Sequence, residues 1–362
     1  MPHANQPPCG GGLRRRAFLR LMGLGFISLG GGVSVLRQGL GLAGAATAAA
    51  PLATPEARRL LDLAAAGWPG VKLAEVTPND QFYLTHYDGV PRPDPSTWRL
   101  RVEGLVDRPD VYTLAEIKDL TDHTAPVTLA CIGNPVGGTA IGNAVWQGVT
   151  LKKLLERHGV KAGAVDLVLY AEDGYSDSFP VGMALDGECF LAWGMNGSQL
   201  PAEHGYPLRA VVPGIYGMKN VKWLTKLEVA DHDHLGYWED KGWSDTAVIH
   251  TISQVLMPAD GARLRAGDQV LAGIAFAGRR GIRKVEVSTD GGDTWQAAEL
   301  KEPLGPFAWR LWRFQWQAQR GSHTVKVRAT DGQGQLQETG GFFARSFPDG
   351  ARGIHGVDVS VR

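Results

Sequence analysis

The sequence predicts an α+β domain followed by an all-β sandwich. Two observations carry that expectation. Between about 77 and 245, short β-type runs alternate with helical pieces that open on threonine. From about 251 onward, alternating apolar runs are separated by Gly- and Asp-bearing turn pairs. The chain has 362 residues and is 44% hydrophobic and 20% charged. That is an ordinary globular composition, with length for two domains of roughly 100 to 200 residues.

In chain order, the first feature is an address. Arg14-Arg-Arg-Ala-Phe-Leu-Arg20 precedes a Gly-rich apolar stretch from Leu21 to Leu36, and Ala48-Ala-Ala50 offers small residues for cleavage. Residues 1–50 therefore read as a twin-arginine export signal, built on Arg15, Arg16, Phe18 and Leu19, and place the mature protein in the periplasm or another extracytoplasmic space. The apolar stretch falls short of the roughly 20 residues that a membrane span needs, although an uncleaved signal would act as a tether. The twin-arginine route carries folded proteins, which suits a cofactor inserted before export.

Residues 51–76 form a lead-in with helically spaced leucines over 55–64. In the first domain, 77–250, strands are expected at 98–103, 127–131, 165–170 and 208–212. Helices are expected at 113–120 and 150–158, each opening on a threonine suited to capping, Thr113 and Thr150. In the second domain, 251–345, strands are expected at 270–276, 282–288, 309–316 and 324–330, with tight turns at Asp290-Gly-Gly-Asp293 and Thr330-Asp-Gly-Gln333. Residues 346–362 read as a C-terminal tail.

Lysine plus arginine equals aspartate plus glutamate at 37 each, so no basic field points to nucleic acid. Three cysteines, Cys9, Cys131 and Cys189, exclude a disulfide scaffold, a four-cysteine zinc or iron-sulfur site and the Cys-x-x-Cys-His haem attachment. Cys189 opens the apolar run Cys189-Phe-Leu-Ala-Trp193 and reads as core. Cys131 ends the run Val127-Thr-Leu-Ala130 and meets the turn-former loop Ile132-Gly-Asn-Pro-Val-Gly-Gly138. A strand end beside Gly and Pro holds a side chain rigidly where another group can approach closely. Such a thiol has three readings: a small buried hydrophobe, a nucleophile with a histidine base such as His86 or His204, or a soft-metal ligand. No second mature thiol is available to share a metal, so further ligands would come from a cofactor, as a pterin dithiolene would supply.

The stretch Leu129-Ala-Cys-Ile-Gly-Asn-Pro-Val-Gly-Gly138, continued by Ile141-Gly-Asn-Ala-Val-Trp-Gln-Gly-Val-Thr-Leu151, resembles the molybdenum-binding segment of the sulfite oxidase family. The resemblance extends to Phe82-Tyr-Leu-Thr-His-Tyr87, Ala192-Trp-Gly-Met-Asn-Gly197 and the long block His204 to Trp223, and Val285 to Trp295 is similar to the family's immunoglobulin-like dimerisation domain. It implies Mo-molybdopterin as cofactor, Cys131 as the molybdenum ligand, and pterin contacts from Tyr83, Thr85, His86, Tyr87, Asp173, His204, Arg209, Asn220, Val221 and Lys222. Arg209 and Lys222 suit the pterin phosphate as a bidentate fork and a point charge. Oxygen-atom transfer on a small substrate is implied, by family sulfite to sulfate. Electrons would pass to an external carrier such as a cytochrome or a membrane subunit, and the chain would pair as a homodimer.

Two family arginines that hold the sulfite dianion are replaced here, by Thr85 and by Val136, five residues past the cysteine. Arg345 and Arg352 are both candidates for a third, and Tyr237 is a candidate for the family's active-site tyrosine. Loss of one charge-assisted contact costs about 1.5 to 3 kcal/mol, which motivates an alternative substrate that is neutral or weakly charged, such as an S-oxide. A non-enzymatic alternative is an exported binding module with an inactive cofactor domain.

Overall fold

The computed structural model describes residues 53–340 and 345–362, which belong to one compact unit, Ala49–Arg362. The export signal expected at 1–50 lies outside the described residues. The lead-in carries a helix, Pro55–Ala65, whose first turn is closed by the Thr54 hydroxyl accepting from the Ala57 N–H at 3.1 Å. The helix buries Ala57 and Leu60 against Val145.

The first domain holds two five-stranded sheets. One orders Asp110–Tyr112, Leu100–Gly104, Leu224–Ala230, Asp166–Ala171 and Ser176–Pro180, with Leu100–Gly104 and Leu224–Ala230 parallel although distant in sequence. The other runs His123–Ala130, Ile141–Thr150 and Phe190–Met195, the last of which also pairs with Ser198–Gln199 and Arg209–Val211. The expected helices form at Leu114–Asp119 and Leu151–His158, capped by Thr113 and Thr150. Thr113 and Glu116 make a reciprocal capping box.

The long strand Ile141–Thr150 is not among the expected ones. It is buried at every position from Ile141 to Val149, so it shows no alternation of apolar and polar residues. Gly148 is needed there because a Cβ would fall 1.8 Å from the Leu191 carbonyl oxygen across the ladder. Cys189 is fully buried beside this sheet, in keeping with a core position.

The second domain is a sandwich. One sheet orders Ile252–Met257, Gly267–Phe276, Arg310–Ala318 and Glu299–Leu300; the other orders Ala262–Leu264, His355–Val361, Gly321–Asp331, Ile282–Ser288 and Gln296–Ala297. The expected tail at 346–362 is therefore corrected. His355–Val361 lies inside the second sheet, antiparallel to Gly321–Asp331 and parallel to Ala262–Leu264, with Val357, Val359 and Val361 buried in alternation.

The two domains are joined by hydrogen bonds from both backbone and side chains. The Thr128 N–H donates to the Phe307 carbonyl at 2.9 Å, and the Thr128 hydroxyl accepts from the Trp309 N–H at 2.8 Å. Arg279 donates to the Pro213 carbonyl at 3.0 Å. Thr128 stands three residues before Cys131, so the sandwich braces the strand that presents the thiol.

Candidate active site

Cys131 is the first residue after the strand His123–Ala130. Its N–H donates to the Ala140 carbonyl at 2.9 Å, and its carbonyl accepts from the Asn134 N–H at 3.1 Å. The Asn134 side chain accepts from the Ala140 N–H at 3.0 Å, which closes the 132–140 loop on itself. Gly137 adopts φ 74°, and a Cβ there would strike the His355 ring at 2.3 Å. The thiol is thus fixed by its own loop and by the last strand of the sandwich. Burial pushes it above the ordinary thiol range, against hydrogen bonds from the Gly133 N–H and the Thr85 hydroxyl.

The thiol opens on a pocket between the domains, walled on one side by Asn134, Pro135, Val136 and Tyr216 and on the other by Thr251, Ile252, Ser253, Gln337, Ala351 and Gly353. None of these side chains is ionised at neutral pH. Arg352, between two wall residues, turns to Asp349 and Glu338 and donates to the His250 ring at 3.3 Å. Arg345 is exposed.

Cations gather behind the thiol. Arg209, on the strand Arg209–Val211, is buried and donates to three backbone carbonyls: Ala210 at 3.2 Å, His204 at 3.1 Å and Asn220 at 3.1 Å. Burial lowers its pKa to about 10. Lys222 donates to the carbonyls of Thr85 at 2.9 Å and Glu203 at 3.1 Å, and burial together with the Arg209 charge lowers its pKa to about 7. Neither has a carboxylate within ion-pair distance among the described residues. His204 Nε2 donates to the Asn79 carbonyl at 2.7 Å, and burial lowers the imidazole to about 4, so the ring is neutral. Tyr83 lies between thiol and cations: burial, and then the Cys131 charge, push its phenol up, while Arg209 opposes them. His86 Nε2 is buried without a hydrogen-bond partner.

Of the residues that the sequence singles out, Tyr83, Thr85, His86, His204, Arg209 and Lys222 converge with Cys131 on this region. Asp173 faces Lys222, and burial raises its carboxyl. Asn220 and Val221 support the site from behind: the Asn220 side chain accepts from the Val212 N–H at 2.7 Å and donates to the Tyr216 carbonyl at 3.2 Å, while the Val221 carbonyl accepts from the Ala210 N–H at 2.8 Å. Tyr87 is nearly half exposed and packs edge-on against Tyr237 instead. Tyr237 does not line the pocket.

Two aromatic residues to which the sequence gives no role stand beside the Cys131 loop. Tyr216 walls the pocket, and burial raises its phenol to about 12. Trp243 packs by Gly133, where a Cβ would lie 3.8 Å from the Cys131 sulfur and 4.0 Å from the indole. Tyr216 sits inside the quoted 204–223 block, which was the available clue; Trp243 lies on a chain segment without regular periodicity.

The molybdopterin-binding domain model of oxidoreductases matches residues 87–238, and the Mo-co oxidoreductase dimerisation domain model matches 245–344. Sulfite oxidase of Gallus gallus is 33% identical over 320 residues, covering 74% of this chain and 70% of its own length. The chain belongs to the sulfite oxidase family. The mitochondrial sulfite oxidase of Rattus norvegicus is 32% identical over 285 residues, 66% of this chain and 52% of the rat protein, so the chain spans about half the length of that relative. The crystal structure of the sulfane dehydrogenase SoxCD from Paracoccus pantotrophus shares the fold, with a TM-score of 0.71 at 24% identity, covering 91% of this chain and 92% of that one.

As a member of the sulfite oxidase family the protein is an oxidoreductase with Mo-molybdopterin as its cofactor, and the residues present fit that group. Buried cations without counter-ions are costly unless an anion joins them, and the pterin phosphate would be such an anion for Arg209 and Lys222. The unpartnered His86 Nε2 offers one further polar contact. Cys131 would supply the thiolate that a soft metal takes. When bound, the group would supply redox chemistry that side chains alone do not offer. Of the chain's own residues, Arg209 and Lys222 would bind its phosphate, while the 132–140 loop holds the thiol in place and Val136, Tyr216 and Ile252 wall it from water.

Proposed function

We propose that this protein is an exported oxidoreductase that transfers an oxygen atom, with two electrons, to or from a small neutral or weakly charged substrate such as an S-oxide. One observation carries the choice of substrate: the walls of the Cys131 pocket hold no ionised side chain, with Val136 pointing at Gly353, whose added Cβ would lie 2.8 Å from the valine methyl. A doubly charged oxyanion entering such a pocket would lose its hydration without gaining a charged partner. Asn134, Ser253, Gln337 and Tyr216 offer neutral hydrogen-bond groups instead. Oxidation of sulfite to sulfate is the second reading, favoured by the activities named for the rat and chicken relatives. Arg352 stands beside that wall, with its charge shared with Asp349 and Glu338.

A steady-state comparison of sulfite with uncharged S-oxides, using an artificial electron carrier, tests the choice. Absence of two charge-assisted contacts predicts a sulfite kcat/KM lower by at least about tenfold to a hundredfold than in arginine-bearing relatives. Parity with them would establish sulfite as the substrate. The twin-arginine motif at Arg15 and Arg16 supports export, and the match to a dimerisation domain supports a two-fold dimer. The sequence carries no haem or iron-sulfur motif, so an external carrier such as a cytochrome or a membrane subunit completes the electron balance. A binding module with an inactive cofactor domain would instead purify, well folded, without molybdenum.

A further inference from the structure

The outer wall of the Cys131 pocket hangs from one buried amide. Ala351 and Gly353 line the pocket but lie outside any strand, so no sheet ladder fixes them. The Gln337 side chain does. Its Nε2 donates to the Gly353 carbonyl at 2.6 Å. Its Oε1 accepts from the Ser253 hydroxyl at 2.6 Å and from the Ala329 N–H at 3.1 Å. Gln337 is itself only 4% exposed, and its backbone N–H donates to the Ala329 carbonyl at 2.8 Å. Backbone and side chain are thus both tied to the strand Gly321–Asp331. Ser253 lines the same pocket from the strand Ile252–Met257. One amide therefore joins a wall residue inside a sheet to a wall residue outside it.

Other restraints on this wall are weaker or act elsewhere. Glu338 pairs with Arg352 at 3.3 Å, but both side chains are exposed, and such surface pairs contribute little. Gln254 donates to the Gly138 carbonyl at 2.9 Å and the His355 ring packs on Gly137, which ties the sheet part of the wall to the 132–140 loop. Gly353 faces the same loop at Val136. A Cβ on Gly353 would lie 2.8 Å from the valine methyl, so the two walls meet there with no room for a side chain. Losing a hydrogen bond from a buried amide, with a carbonyl left unpaired, costs more than losing a surface ion pair. The width of the pocket at Val136 is therefore set by the reach of Gln337.

We propose that Gln337 is a positioning residue that decides substrate size: by holding Gly353 against Val136 it admits small molecules to Cys131 and turns bulky ones away. The inference deepens the small-substrate reading given above, and its turnover arm rests on that reading. Gln337 acts on the site through Gly353 and Ser253. Where its bond to Gly353 is intact, the wall parts from Val136 only as far as that bond yields. Where the bond is lost, the 351–353 segment keeps only the exposed Arg352 pair as a side-chain tie to residues 337–338 and stands off from the loop.

The test reads a ratio, which a general loosening of the fold would leave unchanged. The cofactor-free full-length chain is alkylated with iodoacetamide and with the bulkier iodoacetanilide, which meet a thiolate by the same displacement of iodide. Cys131→Ser supplies the background from Cys9 and Cys189. Gln337→Glu keeps the acceptor for Ser253 and Ala329 and loses the donor to Gly353. It should raise the rate of iodoacetanilide relative to iodoacetamide at Cys131 by about tenfold. Glu338→Gln should change that ratio by less than about twofold. Gln337→Met, which loses the same bond without adding a charge, carries the test if the glutamate variant does not fold. In the holoenzyme, kcat/KM for methyl phenyl sulfoxide relative to dimethyl sulfoxide should rise in the same variants. An unchanged alkylation ratio, or an equal rise in Glu338→Gln, overturns the role of Gln337 in the wall. A raised alkylation ratio with an unchanged S-oxide ratio overturns its role in substrate choice. A wild-type holoenzyme that turns over neither S-oxide would instead sink the S-oxide reading, while the alkylation ratio would still decide the wall.

Discussion

The guanidinium of Arg209 lies over the indole of Trp146, 4.9 Å from the ring centroid, with no carboxylate among its partners. Trp146 is fully buried on the strand Ile141–Thr150. The cation is therefore held in a fixed plane by an aromatic face and three carbonyls, with its remaining N–H groups free to meet an anion.

Arg209→Lys should lose most of that arrangement. A lysine keeps the charge but has neither the planar fork nor the stacking face. Loss of charged hydrogen bonds worth about 1.5 to 3 kcal/mol predicts cofactor retention weaker by about tenfold or more. Pterin fluorescence and molybdenum content of the purified variant check this, and wild-type content in Arg209→Lys would count against a phosphate role.

Cys131→Ser should yield a folded protein without bound molybdenum. The loop around the cysteine is held by backbone bonds and by Asn134, none of which involves sulfur. Metal analysis should fall from about one molybdenum per chain to near zero in a molybdopterin-competent host, while the melting temperature of the cofactor-free forms stays within a few degrees. A molybdenum-replete serine variant would refute the ligand assignment.

The phosphate end of the site should depend on pH. Lys222, lowered to about 7, carries its charge below that value and loses it above. Pyrophosphate binding to the cofactor-free protein, measured by calorimetry from pH 6 to 9, should weaken as pH rises through 7. The stability linkage has the opposite sense. Between about 7 and 10 the unfolded chain binds the proton that the folded one has released, so the Lys222 contribution to stability grows as pH rises through that window. Binding that is flat from pH 6 to 9 would show that Lys222 does not meet the anion.

A second charged group predicts a change in stability. Lys219 is buried, and its three protons go to Asp177 at 3.0 Å, the Ser178 carbonyl at 2.8 Å and Asp245 at 2.9 Å. Glu239 sits 3.0 Å from the same nitrogen with no donor left for it, and burial raises its carboxyl to about 7. Native Glu239 keeps a proton that the unfolded chain releases near its ordinary value, so its contribution to stability is full below about 4.5 and is lost as pH rises through 7. Lys219→Met would strand Asp177 and Glu239 and should cost about 3 to 5 kcal/mol. Urea denaturation at pH 5 and pH 8 measures both effects.

Much of this was legible in the residues. The capping threonines Thr113 and Thr150, the Cys131 strand end and the sandwich turns are local features, and local chemistry decides them. Ile141–Thr150 was not legible as a strand, because Gly142, Asn143 and Gly148 break every periodic pattern while both faces are buried. Arg209 and Lys222 could be named from a resembling block, but their lack of counter-ions is a property of the packed molecule. Tyr216 comes to the thiol pocket, and Trp243 to the neighbouring Gly133, by long-range packing that no spacing announces.

The final strand, His355–Val361, has a consequence for the order in which the molecule is made. Ala351 and Gly353, directly ahead of it, complete the wall in front of a cysteine synthesised more than two hundred residues earlier. Arg209 and Lys222 are on the chain long before that wall exists. The pocket therefore gains its outer boundary only after residues 351–353 have been made, and a product truncated before them would carry the anchoring cations while leaving the thiol open to water.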